Sequence, residues 1–209
     1  MARSFEERGS VAIEIRSARG DDRRAIMETL VEAFYSEFKP LSSSRSKLID
    51  GLAHAVRPER FLVAVERTGA SGDVVGTVAI VLGGKSPLEP EGKLLARHVG
   101  LVHGHLGGRI LQREMSAPIK VRPEDAYLSC VAVKKSHRGY GIATRLIDAA
   151  VREVSAPRYL LDVMAGNEKV LKLYRKEGFE ILGESKEPFG KLKGFGHRYI
   201  LAKNGEKPE

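Results

Sequence analysis

Fourteen consecutive residues carry the clearest chemical signal in the chain: Val131-Ala132-Val133-Lys134-Lys135-Ser136-His137-Arg138-Gly139-Tyr140-Gly141-Ile142-Ala143-Thr144. An apolar β-type run ends, a short basic loop turns, and a helical pattern begins on small residues. Glycines at 139 and 141 let successive main-chain amides point into one concavity, and the helix N-terminus adds about half a positive charge. Such a turn can hold phosphate oxygens, with Arg138, Lys134 and Lys135 available to a second phosphate. A plain glycine turn with solvated charges would use the same residues.

Three ways of holding phosphate compete. A Walker A loop would need a glycine at position 79 ahead of Gly84-Lys85-Ser86, and that residue is Ala79, so this reading fails. A dinucleotide fingerprint goes further: Gly139-x-Gly141 is followed by Thr144 and, about 20 residues on, by Asp162. It lacks the third glycine, and Lys134–Arg138 separate the strand from a turn that the fingerprint needs at once. The third candidate is the diphosphate of coenzyme A. Arg138-x-x-Gly141-x-Ala143 matches the Arg/Gln-x-x-Gly-x-Gly/Ala motif of the GCN5-related N-acetyltransferase (GNAT) superfamily, and the chain resembles that superfamily beyond this loop. Leu161-Asp162-Val163-Met164-Ala165-Gly166-Asn167, then Leu173-Tyr174-Arg175-Lys176-Glu177-Gly178-Phe179, is similar to the second family signature: an Asn seven residues before a Tyr, closed by Gly-Phe. The two signatures cover residues 125–183 in order. Residues 1–82 resemble the family's opening by pattern alone, and 83–124 are longer than its usual connection.

The resemblance implies acetyl-CoA as co-substrate, with no metal, lying in a wedge where a bulged strand splays from its parallel neighbour. The pantetheine arm would pair with the main chain of Val131, Ala132 and Val133 like an added strand. The amides of Gly139, Tyr140, Gly141, Ile142, Ala143 and Thr144 would take the diphosphate beside Arg138. Asn167 would reach the pantetheine, and Tyr174 would approach the thioester sulfur. A phenol near pKa 10 roughly matches a thiol, so Tyr174 suits protonation of the leaving thiolate. Three candidates for the base that frees the amine stay open. Asp162 sits where ribosomal-protein N-terminal acetyltransferases place a carboxylate. Tyr127, eleven residues before Arg138, sits where some protein N-terminal acetyltransferases place a tyrosine. A water chain is the third. Glu32, Tyr35 and Glu37 end the first helix, which borders the acceptor in this family; a polar helix face is the simpler account of them.

The glutamate used by the histone-acetylating branch is absent. A lysine amine, pKa near 10.4, is about three units from neutrality at pH 7, whereas an α-amine near 7.7–8.0 is about one unit away. A weak base therefore suffices for a peptide or protein N-terminus, and the chemistry tilts toward α-amines over histone-type lysines. Small-molecule amines stay open.

These residues need a scaffold, and the pattern supplies a mixed-sheet α/β (α+β) fold, a central sheet flanked by helices with an insertion between strands 3 and 4. Residues 11–18 alternate like a strand, Asp21-Asp22 cap a helix through Ile26 and Leu30, and Ser44 or Ser46 caps a second that runs to Pro58. Phe61–Arg67 and Val74–Leu82 form a hairpin. Residues 91–114 have helical character, weakened by four glycines within 100–108 at about 1 kcal/mol each. Then come strand Tyr127–Val133, helix Gly141–Val154, strand Arg158–Met164, helix Asn167–Lys176 closed by Gly178, and strands Phe179–Gly183 and Phe195–Ala202. One N-acetyltransferase domain is expected over 11–203, with flexible ends at 1–10 and 204–209.

A chain of 209 residues, 42% hydrophobic and 30% charged, is a single-domain globular composition, not a disordered one. It has no run of roughly 20 apolar residues and no signal-peptide core at its start, so a cytoplasmic protein without a membrane is expected, monomeric or homodimeric. The net charge of +8 is scattered among 27 acids and has no interleaved aromatics, which argues against nucleic acid as the partner. Cys130, the single cysteine, excludes an internal disulfide and reads as a buried thiol alternating away from Tyr127 and Ser129. His98, His103 and His105 lack a carboxylate at ligand spacing, so no metal is expected. Two other classes remain: a non-catalytic CoA-binding sensor or interaction module, and an RNA-associated protein using this fold as scaffold.

Overall fold

The computed structural model describes residues 12–68, 71–100, 104, 121–186 and 196–205. Strand alternation sorts the early side chains into two layers. On β2 (Phe61–Thr68), Phe61, Val63 and Val65 join one core cluster, while Leu62 and Ala64 join the other. β2 lies between β1 (Ile13–Ser17) and β3 (Ser71–Val81), and β3 pairs with β4 (Ala126–Val133), all antiparallel. β5 (Arg158–Met164), β6 (Glu180–Lys186) and β7 (His197–Asn204) complete a seven-stranded sheet in the order β1-β2-β3-β4-β5-β7-β6. Among these neighbours β4 and β5 alone run parallel.

One face carries α1 (Arg23–Ala33), a single turn α2 (Tyr35–Phe38), α3 (Arg45–Leu52) and α4 (Gly92–Val99), whose Ile26, Leu30, Phe38, Leu48 and Leu95 share a core with Val63, Val65 and Ala132. The other face carries α5 (Ile142–Glu153) and α6 (Glu168–Lys176), with Ile142, Leu146, Ile147, Leu171 and Tyr174 against Leu62, Val75 and Leu128. A fully buried Leu146 or Ile147 contributes about 1.5–3 kcal/mol by leaving water. The first turn of α5 seats directly on β3: a Cβ at Gly76 would stand 3.0 Å from Leu146 Cδ1 and 3.2 Å from Ile142 Cγ2. A side chain there would need Leu146, Ile142 or the Ala132 carbonyl (3.2 Å) to give by a few tenths of an ångström.

Most expected elements appear within two or three residues of their expected ends. Ser44 Oγ caps α3, accepting from the Lys47 N–H at 3.4 Å, but α3 stops at Leu52 and a 3-10 turn follows over Ala53–Ala55. Asp22 does not cap α1 with its side chain. Its carboxylate takes hydrogen bonds from Arg16 (2.7 and 3.0 Å) and from the Arg19 N–H (2.7 Å), because a buried acid satisfied by a guanidinium outcompetes a solvent-facing cap. The helical character expected over 91–114 is realised as α4, which ends at Gly100 (φ 90°); residues 101–103 and 105–120, with His103 and His105, lie outside the described residues. The same holds for residues 1–11 and 206–209, on which the expected flexible ends fall; β7 continues to Asn204. Among the described residues no helix is long and apolar enough to cross a membrane.

Below the wedge the parallel pair is pinned. Asp125, just before β4, has a fully buried carboxylate held by Arg122 (3.0 and 3.1 Å) and by Arg158 of β5 (2.6 Å). Burial alone would raise its pKa; the two guanidinium hydrogen bonds outweigh burial and hold the group below the usual carboxylate range.

Candidate active site

β4 and β5 pair at Ala126↔Tyr159 and Tyr127↔Leu160, and there the pairing stops. A bulge in β4 accompanies the break. Thr77 pairs with Ala132 and Ala79 with Ser129, which leaves Cys130 and Val131 opposite Val78. Cys130 sits at φ 53°, a left-handed conformation costing an L-residue roughly 1–2 kcal/mol, and the Thr77 hydroxyl supports it by donating to the Cys130 carbonyl at 2.9 Å. Strict alternation would turn Cys130 away from Tyr127. The extra residue instead brings Cys130 into the cluster beneath α1, while Val131 packs toward α5. Burial pushes the Cys130 thiol up to about 12, so it is no ready nucleophile.

After β4, a 3-10 turn (Lys135–His137) leads to the glycines. Glu32 Oε1 accepts from the Lys135 N–H at 2.6 Å, and His137 contacts Glu66 through Nε2 (2.9 Å) and Ser136 through Nδ1 (2.8 Å). Arg138 Nε donates to the Val133 carbonyl at 3.0 Å, folding the guanidinium back over the end of β4. Gly139 (φ 88°) and Gly141 (φ 72°) occupy the left-handed region, with Gly141 as the N-cap of α5. No side chain caps that helix, no acid stands in its first turn, and among the described residues the N–H groups of Gly139–Thr144 reach no main-chain carbonyl. Unspent donors around a helix N-terminus, free of side-chain bulk, fit a diphosphate. Tyr140 stands 69% exposed at the rim. The Thr144 hydroxyl donates to Glu177 Oε1 at 3.0 Å.

Titratable groups stand beside the gap in both layers. Leu161 and Val163 face α5, so Asp162 between them faces α1. There the Tyr127 hydroxyl donates to Asp162 Oδ1, and Arg198 donates to Oδ2 at 2.8 Å. The same guanidinium lies 3.5 Å from Glu37 Oε2 on α2, so one arginine ties the α2 turn to β5. Burial first, then the adjacent Asp162 charge, push the Tyr127 phenol well above its ordinary pKa. From the α6 side comes Tyr174, buried, its ring 6.2 Å from that of Phe179. Burial, with a further contribution from Asp162, raises the Tyr174 phenol as well, and its hydroxyl has no hydrogen-bond partner among the described residues. Gly178 (φ 85°) closes α6, with the Phe179 N–H returning to the Tyr174 carbonyl at 3.0 Å.

Sequence reasoning separated Tyr127 and Asp162 as rivals; the fold joins them. It missed Arg198, whose relevance depends on a register, Met164↔Arg198 and Asp162↔Ile200, that only the folded β5–β7 pair reveals. Asn167 is the N-cap of α6, its Oδ1 accepting from the Val170 N–H at 3.4 Å. Glu32 is engaged with Lys135 as described. Tyr35 donates to the Ser43 carbonyl at 2.7 Å under the Arg45 guanidinium, which lies 4.5 Å from its ring centroid. His98 sits on α4, and among the described residues no three His, Cys, Asp or Glu gather as a metal-holding group.

Residues 23–179 match the sequence model of the family described as acetyltransferase (GNAT). The bifunctional glutamine synthetase adenylyltransferase/adenylyl-removing enzyme of Bradyrhizobium sp. (strain ORS 278) is 27% identical over 190 residues, 79% of this chain; the chain spans only 18% of that relative's length. Among solved structures, one acetyltransferase superposes with a TM-score of 0.59 at 24% identity, covering 92% of this chain and all (100%) of that one. The ribosomal-protein-S18-alanine N-acetyltransferase of Escherichia coli superposes at 0.56 with 14% identity, over 95% of this chain and 97% of its own. At such identities the superpositions establish a shared fold.

Proposed function

The chain belongs to the acetyltransferase (GNAT) family, and from that premise we propose that it is an N-acetyltransferase, passing acetyl from acetyl-CoA to a primary amine by direct attack in a ternary complex. One observation carries the reading. An uncapped row of amides at Gly139–Thr144 adjoins a strand that its parallel partner leaves after two residue pairs, and Tyr174 and Asp162 flank the gap between them.

Acetyl-CoA, when bound, supplies the activated carbonyl and a thiol leaving group. The chain's own groups do the rest. The amides from Gly139 to Thr144 take the phosphate oxygens, with Arg138 swinging from the Val133 carbonyl to add charge. Main-chain groups of Val131, Ala132 and Val133 that β5 leaves unpaired accept an extended chain as an added strand. Asn167 spends its Oδ1 on α6 and keeps its amide NH2 to donate. Tyr174, kept protonated by burial, delivers a proton to the departing sulfur. Asp162 receives the amine's proton, directly or through water, while Tyr127 and Arg198 fix its orientation.

The acceptor that suits this base is an α-amine, whose lower pKa leaves a larger neutral fraction at pH 7 than a lysine has. The shared fold with an enzyme named for acetylating the alanine of a ribosomal protein supports that choice. Glu32 and Tyr35 border the acceptor side from α1 and α2. The test is thiol release from acetyl-CoA with three amine classes: peptides with free N-termini, N-blocked lysine peptides, and polyamines. Free N-termini should turn over fastest. Turnover of internal lysine alone would overturn the acceptor assignment. Thermal stabilisation by CoA with no thiol release for any amine would make the protein a CoA-binding module.

A further inference from the structure

We infer that Glu177 is an affinity-setting residue of the cofactor site: its carboxylate competes with the incoming diphosphate at the N-terminus of α5 and weakens CoA binding, which favours release of CoA after turnover. The inference rests on the reading of Gly139–Thr144 as the diphosphate cradle.

The geometry is specific. Thr144 is the third residue of α5, one of the positions whose amide N–H has no acceptor within the helix. Its side chain leans toward the helix N-terminus, which brings its hydroxyl alongside the uncapped amides. That hydroxyl is already committed, donating to Glu177 Oε1 at 3.0 Å. Covalent geometry places a threonine hydroxyl within about 3 Å of its own nitrogen, so the carboxylate lies within roughly 6 Å of the Thr144 N–H. α5 has no acid of its own in its first turn. The carboxylate therefore arrives sideways, from the residue that follows the last turn of α6. A diphosphate seated on the amides meets a fixed like charge at short range and finds one hydroxyl donor already used.

Other groups in the same loop have other assignments. His137 faces Glu66, Arg138 faces a carbonyl, and Lys135 binds Glu32 through its main chain. Among the described residues, Glu177 is the acid that the Thr144 hydroxyl reaches.

The test is calorimetric titration of CoA into the wild-type protein, E177Q and E177A, each at low and high salt. Glutamine keeps the side chain's shape and its acceptor oxygen while removing the charge. The expected result is CoA binding about 3- to 10-fold tighter in both variants, with the gain shrinking at high salt as screening removes the repulsion. Unchanged or weaker binding in E177Q would overturn the inference and make the Thr144–Glu177 bond a brace between α5 and α6. Failure of the wild-type protein to bind CoA would instead overturn the cradle reading, and this inference with it.

Discussion

Tyr127 and Asp162 are hydrogen-bonded at the point where β4 and β5 stop pairing. Main-chain pairing ends at Tyr127↔Leu160, and the side chains carry the link one step further before the strands separate. The Tyr127 phenol is pushed upward by burial and by the facing carboxylate, so it stays a donor across the working pH range. Y127F is expected to lower kcat about tenfold, less than the roughly 100-fold or more of a group that transfers the proton itself, because Asp162 loses one of its two orienting donors. CoA affinity, measured by calorimetry, should be unchanged.

Tyr174 is expected to matter more for chemistry than for binding. Y174F should reduce kcat by about 100-fold or more while leaving CoA affinity intact. Because burial raises the phenol above its ordinary value, an acid at this position stays protonated past pH 9. The wild-type kcat profile should therefore show no descending limb below about pH 10. A limb falling near pH 8 would assign the acid to another group.

Gly141 combines two demands: a φ of 72° and freedom from charge among the amide donors. G141D is expected to cripple CoA affinity, by about 100-fold or more, because it brings a carboxylate to the donors. G141N tolerates the same backbone region without the charge and should lose much less. Equal affinity in G141D and wild type would separate this turn from the diphosphate.

Legibility followed the range of the interactions involved. The segment from strand Arg158–Met164 to the closing Gly178 was readable because each feature is local: a short apolar strand, a helical pattern opening at Asn167, and a C-cap glycine. The glycine turn ahead of α5 was readable for the same reason. The Cys130 bulge was implied only by the family likeness, since its effect depends on the interrupted register opposite Val78 and on the Thr77 hydroxyl, neither near it in sequence. Arg198 looked like one more scattered cation. Its contacts with Asp162 and Glu37 come from three separate elements, and no periodicity within β7 announces them. Asp22 stands at the N-cap position of α1 as expected, but its carboxylate is spent on Arg16, which lies on the preceding strand.

Asp125 sets a pH-dependent contribution to stability. Its folded-state pKa is held below the unfolded value, so the stabilisation is complete above the unfolded carboxylate pKa, near 4, and is lost as pH falls through the folded value. D125N should cost about 1–3 kcal/mol at pH 7, the range for a buried hydrogen-bonded group losing its charge-assisted partners, and should flatten the acid limb of the stability curve. Denaturant melts at pH 7 and pH 3 would check both; an acid limb as steep as in wild type would place the effect elsewhere.

The early end of the β4–β5 ladder has one more consequence. Sheets ordinarily expose open main-chain groups only along their outer borders, where proteins must guard against sticking to one another. Here an open row lies in the middle of the sheet, with helices covering both faces. The protein thus keeps an adhesive border indoors, out of reach of its own neighbours in a crowded solution and open to a slender, unbranched guest.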